Sequence, residues 1–185
     1  LHIHLQHVVK SAEKIADELG FDKQIARHGA ILHDIGKAST VFQSRLKLDY
    51  QRKESDRTFR HELASLFFIS AFDEQIHPQL IEMVVSHHKS VEKDSRLKGI
   101  LDLEQNVDDV FAMHSIDWEN WSGDAIEILN AFGLQAQPIS LDEAKSNYCK
   151  AAEYVQDNIT RQGYSEWKGL LMAADHFASA MLTDT

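Results

Sequence analysis

Ile31-Leu32-His33-Asp34-Ile35-Gly36-Lys37 sets an imidazole and a carboxylate side by side between apolar neighbours. Upstream, Asp22 can cap a helix whose buried side carries Ile25, Ala26, Ala30 and Ile31. That phase puts His33–Asp34 at the helix end, lets Gly36 terminate it, and leaves Lys37 as a cation just beyond. Adjacent residues on an ideal helix point about 100° apart, but at a helix end both side chains can reach one pair of ions. An imidazole nitrogen beside a carboxylate oxygen suits Fe, Mn, Co, Ni or Zn. Ile31, Leu32 and Ile35 would bury that point. The stretch reads as a buried metal site with a phosphate-binding edge.

The segments around it are helical in pattern. Leu5, Val8, Val9, Ala12, Ile15, Ala16 and Leu19 form an apolar stripe closed by Gly20. Ser39 can cap a short helix carrying Val41, Phe42 and Leu46, and Asp49 to Arg57 reads as a polar loop. A strong helix is expected over His61 to Phe72, and Pro78 suits the first turn of another that runs to His87–His88. Ser90 to Asp109 is charged and ambiguous. Ser122 and Gly133 bracket a helix over Gly123 to Phe132, Ser140-Leu141-Asp142-Glu143 is a capping box for a long helix to about Arg161, and Ser165 can cap a last helix over Trp167 to Met181. Hardly any segment alternates with period two, and two prolines among 185 residues favour long helices. The expected fold is all-α, one helical domain over residues 1–185.

Composition narrows the function. The formal net charge of −10 argues against a broad nucleic-acid-binding face. It leaves room for a nucleic-acid enzyme, since several acids could be ligands and two divalent cations would reverse the local sign. Cys149 is the only cysteine, which excludes an internal disulfide and a Cys-based zinc site and fits a reducing, cytoplasmic setting. No apolar run approaches the ~20 residues of a membrane span, and no signal peptide is visible.

Other candidate ligands stand at helix ends or on buried phases. His4 lies one turn before Val8 on the first stripe, His61 opens its helix, His87–His88 repeats the paired geometry, and Asp175 follows Leu170, Leu171 and Ala174 inward. A buried Asp costs several kcal/mol unless it is paired or metal-bound. His28 is spaced wrongly for the face of His33 and reads as structural; His77 and His114 read as loop residues, His176 as exposed or supporting. Ser65 and Ser179 read as small residues packed between helices, with Ser179 alternatively supporting the site. Trp118 and Trp121 read as packing. Phe42 and Gln43 either line the substrate entrance or pack.

The ordered pattern His4…His33-Asp34…His61…His87-His88…Asp175 resembles the HD superfamily of metal-dependent phosphohydrolases. More narrowly it is similar to the HD nuclease domain of the type I CRISPR-associated nuclease-helicase. That likeness rests on Leu32-His33-Asp34-Ile35-Gly36-Lys37-Ala38-Ser39 with Phe42-Gln43, on Arg60-His61-Glu62-Leu63-Ala64-Ser65, on His87–His88, and on Ala174-Asp175-His176-Phe177-Ala178-Ser179-Ala180. In that family a helicase domain usually follows; its absence from residues 1–185 is expected of either an isolated nuclease subunit or a cut-out domain.

The resemblance implies two divalent transition-metal ions (Fe, Mn, Co or Ni). One would take His4, His33, Asp34 and Asp175; the other would take Asp34, His61, His87 and His88. Lys37 would meet a phosphate oxygen. The implied activity is endo- or exonucleolytic cleavage of single-stranded DNA in CRISPR interference. The implied partners are the helicase and the guide-RNA surveillance complex, with no membrane. Two rivals stand beside it: an HD phosphohydrolase for nucleotides or cyclic dinucleotides, and an all-α interaction module with coordinatively closed structural metals.

Overall fold

The computed structural model describes residues 1–51, 59–85, 106–159 and 165–182. Among these every regular element is helical and there is no strand. Helix α1 (His2–Leu19) buries Leu5, Val8, Val9, Ala12 and Ala16, the expected stripe, and Gly20 ends it at φ +76°, where its N–H reaches the Ala16 carbonyl. A side chain at Gly20 would be strained in that left-handed conformation. Asp22 starts α2 (Lys23–Leu32), its Oδ1 accepting from the amides of Gln24 at 2.8 Å and Ile25 at 3.0 Å.

The helix ends at Leu32, earlier than Gly36 implied. Ile35–Ala38 forms a 3-10 turn, then Ser39 caps α3 (Thr40–Arg45). Gly36 is there for closeness, not termination. A Cβ on it would stand 2.0 Å from the His61 carbonyl oxygen and 2.8 Å from the Ser65 nitrogen, so only glycine lets this turn lie against the next helix.

That helix, α4 (His61–Ser65), is shorter than the expected His61 to Phe72. It tightens into a 3-10 stretch over Leu66–Ala71, which winds Leu66, Phe67, Phe68 and Ile69 all inward. With three residues per turn, four consecutive buried side chains cover every side of this stretch, so neighbours pack around it on all faces. Helix α5 (His77–Val84) carries Pro78 in its first turn. His77 thus opens a helix rather than lying in a loop, and its Nε2 bonds the Phe72 carbonyl at 3.1 Å.

Asn106 caps α6 (Val107–His114) inside the stretch that sequence left ambiguous. Helix α7 (Trp118–Ala131) begins five residues before the expected Gly123, because Trp118 and Trp121 supply its buried face. Ser140 caps α8 (Leu141–Tyr154) as expected, and a π turn over Val155–Ile159 extends it. Helix α9 (Glu166–Leu182) completes the described chain.

Two packed regions result. In one, α1 lies against α2 and α9, with α5 packed on both α9 and α2. In the other, α8 lies on the 3-10 stretch and α6, and aromatic rings fill the space. Phe67 meets Phe111 at 5.0 Å and Tyr148 at 5.8 Å, Phe68 meets Trp118 at 5.3 Å, and Trp118 meets Trp121 at 4.9 Å. The tryptophans pack, as the sequence suggested. No helix among the described residues is long and apolar enough to cross a membrane.

Candidate metal centre

Asp34 sits at the seam between the α2 end and α4, fully buried. Its two carboxylate oxygens face different ways. Oδ2 lies 3.5 Å from His4 Nε2 and 3.4 Å from His33 Nε2. Oδ1 lies 3.0 Å from His61 Nε2. Asp175, delivered by the inward face of α9, places Oδ1 3.0 Å from His4 Nε2 and 3.8 Å from His33 Nε2. His4, His33 and His61 thus converge on Asp34 from α1, the α2 end and α4, and Asp175 of α9 joins through His4 and His33.

The rings are held so that Nε2 points inward. His33 Nδ1 donates to the Ala30 carbonyl at 2.7 Å, which leaves Nε2 as the lone-pair nitrogen of the neutral ring. His61 turns its Nδ1 toward Glu62 Oε2 at 3.8 Å. Glu62 is itself buried and bonded by Arg60 Nε at 2.7 Å. Burial would raise its pKa, but the Arg60 charge outweighs that and brings the carboxyl down to about 2.

The electrostatics follow from crowding acids among imidazoles. Hydrogen bonds donated to Asp175 first, then to Asp34, lift His4 to a pKa of about 9 against the opposing effect of burial. Burial works to raise both carboxylates, yet the imidazoles win. Asp34 is held well below the usual range by the charge of His33 and bonds from His4 and His61. Asp175 is lowered by His33 and His4 when their rings are protonated and donate to it.

The donor set fits a divalent transition metal. One ligand atom each from His4, His33 and Asp175 lie within 4.8 Å of one another, and two ligands on opposite sides of one ion stand about 4.2 Å apart, twice a ~2.1 Å bond. Asp34 could join that set through Oδ2 and reach a second through Oδ1 with His61. His87 and His88, the other expected members of the second set, lie outside the described residues.

Lys37 lies beside Asp34. Its Nζ donates to Asp34 Oδ2 at 2.6 Å, so the ammonium stands on the carboxylate rather than apart from it. Phe42 sets its edge against the His61 ring at 5.4 Å with Lys37 6.0 Å from its centre, and Gln43 Nε2 donates to the Lys37 carbonyl at 2.7 Å. Helix α3 therefore borders the site. Asp34 and His33 are shut off from solvent, while the side chains of His4, Lys37, His61 and Asp175 keep 12–24% exposure and form an accessible rim.

Two residues emerge that the sequence did not disclose. His114, expected in a loop, closes α6 almost fully buried; its Nε2 accepts from the Arg60 amide at 2.9 Å and its Nδ1 donates to Val110 at 2.7 Å. It thereby pins the backbone next to His61. Ser65, expected only to fill space, hydrogen-bonds three backbone groups of the site. Ser179 is exposed and does neither thing proposed for it, and His176 is exposed as expected. His28 is structural, sharing a hydrogen bond with Gln24 and packing on Phe72.

The chain is 30% identical over 104 residues to the ribonucleases Y of Mycoplasma mycoides subsp. mycoides SC and Mycoplasma capricolum subsp. capricolum. The match takes in 56% of this chain but 17% of theirs, so the chain spans about a sixth of the length of those relatives. No solved structure matches it. The family described as "Cas3, HD domain" matches residues 3–182, nearly the whole chain. HD domains bind divalent metals, and an all-α chain that gathers His4, His33, Asp34, His61 and Asp175 at one seam belongs to the HD domain family of Cas3.

Proposed function

We propose that this chain is a two-metal nuclease that degrades single-stranded DNA in type I CRISPR interference. The observation that carries the reading is the double-facing carboxylate of Asp34, with Oδ2 toward His4 and His33 and Oδ1 toward His61. A residue so placed suits a bridge. His4, His33 and Asp175 would complete one ion's ligands, and His61 with His87 and His88 the other's. Family membership supports metal-dependent hydrolysis.

When bound, the ions supply a water-derived nucleophile and neutralise charge at the scissile phosphate. The protein's own part is orientation. His33 is fixed by Ala30, and Asp34 by the turn that begins at His33. Lys37, at the partly open rim, would swing from Asp34 to a non-bridging phosphate oxygen as cations take over that carboxylate. There it would stabilise charge that grows in the transition state. No protein nucleophile is required.

The substrate follows from access and charge. The deepest donors are shut in and only the rim is open, so one phosphodiester must come close. A flexible single strand can do that more readily than a stacked duplex. With a net charge of −10 the chain has little basic surface to hold DNA, so a helicase that feeds the strand would raise activity. When guide RNA pairs with one target strand, the displaced strand provides such a substrate.

The test is cleavage of matched single-stranded DNA, blunt duplex DNA and single-stranded RNA with Mn²⁺, Fe²⁺, Co²⁺ or Ni²⁺, with a chelator as control. The RNA arm is prompted by the likeness to ribonuclease Y. Metal-dependent cutting of single-stranded DNA in preference to the others supports the proposal. Equal cutting of duplex, chelator-resistant cutting, or hydrolysis of nucleotides alone contradicts it.

A further inference from the structure

Ser65 is fully buried, one turn into α4 from His61. Its Oγ accepts from the Gly36 amide at 2.9 Å and lies 2.9 Å from the His33 carbonyl oxygen and 3.0 Å from that of His61. A serine on a helix commonly bonds the carbonyl four residues back, which accounts for His61. It does not account for the other two. His33 and Gly36 bracket Asp34, so a single hydroxyl grips the turn on both sides of that residue and ties it to the helix whose first residue is His61. A hydroxyl has one proton, which the two carbonyls must share while the oxygen takes the Gly36 N–H. Gly36 makes the grip possible, since any side chain there would strike the His61 carbonyl.

We propose that Ser65 is a positioning residue for the metal centre. Its hydroxyl sets the separation of His61 from Asp34, and so the affinity and geometry with which divalent metal is held. It touches no side-chain donor atom of the centre and acts only through the two backbones. The inference rests on the reading of this cluster as a metal centre, not on the identity of the substrate.

The test is a Co²⁺ titration of the full chain, followed by visible absorption and calorimetry, on wild type, Ser65→Ala, Ser65→Cys and Ser140→Ala. Ser140 caps α8, so its loss lowers stability away from the centre and controls for mere destabilisation. Ser65→Ala is expected to weaken Co²⁺ binding ~10–100-fold, the usual effect of removing a group that orients ligands, and to shift the absorption bands. Ser140→Ala is expected to melt earlier with wild-type binding and spectrum. Ser65→Cys keeps the side chain's shape with a weaker hydrogen-bonding atom, should fold even where alanine fails, and is expected to fall between wild type and alanine. Wild-type affinity and spectrum in Ser65→Ala, or in Ser65→Cys if alanine does not fold, overturns the proposal. Failure of the wild-type chain itself to bind Co²⁺ overturns the centre, and this inference with it.

Discussion

Buried polar groups around Phe67 and around Asp34 are satisfied in opposite ways. In the aromatic region Asn147 and Trp121 have neutral partners: Asn147 Nδ2 donates to the Phe67 carbonyl at 2.9 Å, and Trp121 Nε1 to the Ile116 carbonyl at 3.1 Å. Around Asp34 two carboxylates share His4 Nε2, at 3.5 and 3.0 Å. With neutral imidazoles, Asp34, Asp175 and Lys37 sum to one negative charge, and the lifted pKa of His4 shows the cluster drawing a proton toward it. A divalent cation meets the same demand without a proton. The aromatic region is therefore the fold's ballast, and the seam at Asp34 is where its chemistry is kept.

If that division is right, substitutions should separate stability from metal binding. Phe67→Ala, at the centre of the rings and fully buried, should cost ~3–5 kcal/mol in urea unfolding. The folded fraction should still bind metal with wild-type affinity, and a large affinity loss would show that the regions are coupled. Lys37→Ala should do the reverse. Turnover should fall ~10²-fold, as when one transition-state donor is removed, with thermal stability nearly unchanged. Because its ammonium competes for Asp34 Oδ2, metal affinity should stay level or rise. A fall in metal content would assign Lys37 to holding the site together instead.

Asn147→Ala tests the other side at smaller scale. It removes the bonds to the Phe67 carbonyl and to Ser70 Oγ, each 2.9 Å, and should cost ~1–3 kcal/mol with no change in metal affinity. The gentlest probe is pH. His4 has a folded pKa of about 9 against 6.5 unfolded, so in chelated protein its contribution to stability is full below pH 6.5 and is lost as pH rises toward 9. The denaturation midpoint should decline over that window, and less so in His4→Gln. Metal affinity should rise over the same window as the proton leaves. A flat profile for chelated wild type would remove His4 from contact with the acids.

Much of this arrangement could be read from local pattern. The α1 stripe, the Asp22, Ser39 and Ser140 caps and Pro78 act within a few residues, and the structure has helices where they point. The inward phases of His4, His33, Asp34 and Asp175 were likewise legible, because a buried acid needs a reason. What escaped was set at long range. Trp118 extends α7 because rings 50 residues away await it, and His114 is buried because the Arg60 amide needs an acceptor. Ser65 acts through residues about 30 positions distant, and Ser179 faces outward although the same helix turns Asp175 in. Spacing along one helix predicts a face, but not what another element brings to it.

If Asp34 joins two ions, equilibrium dialysis with metal counting by mass spectrometry reads that bridge as a stoichiometry. Wild-type chain dialysed against Mn²⁺ or Co²⁺ should hold two ions per chain, and folded Asp34→Ala should hold neither tightly, since both sets lose a shared oxygen. A single ion in the wild type, or two ions retained by Asp34→Ala, would contradict the account.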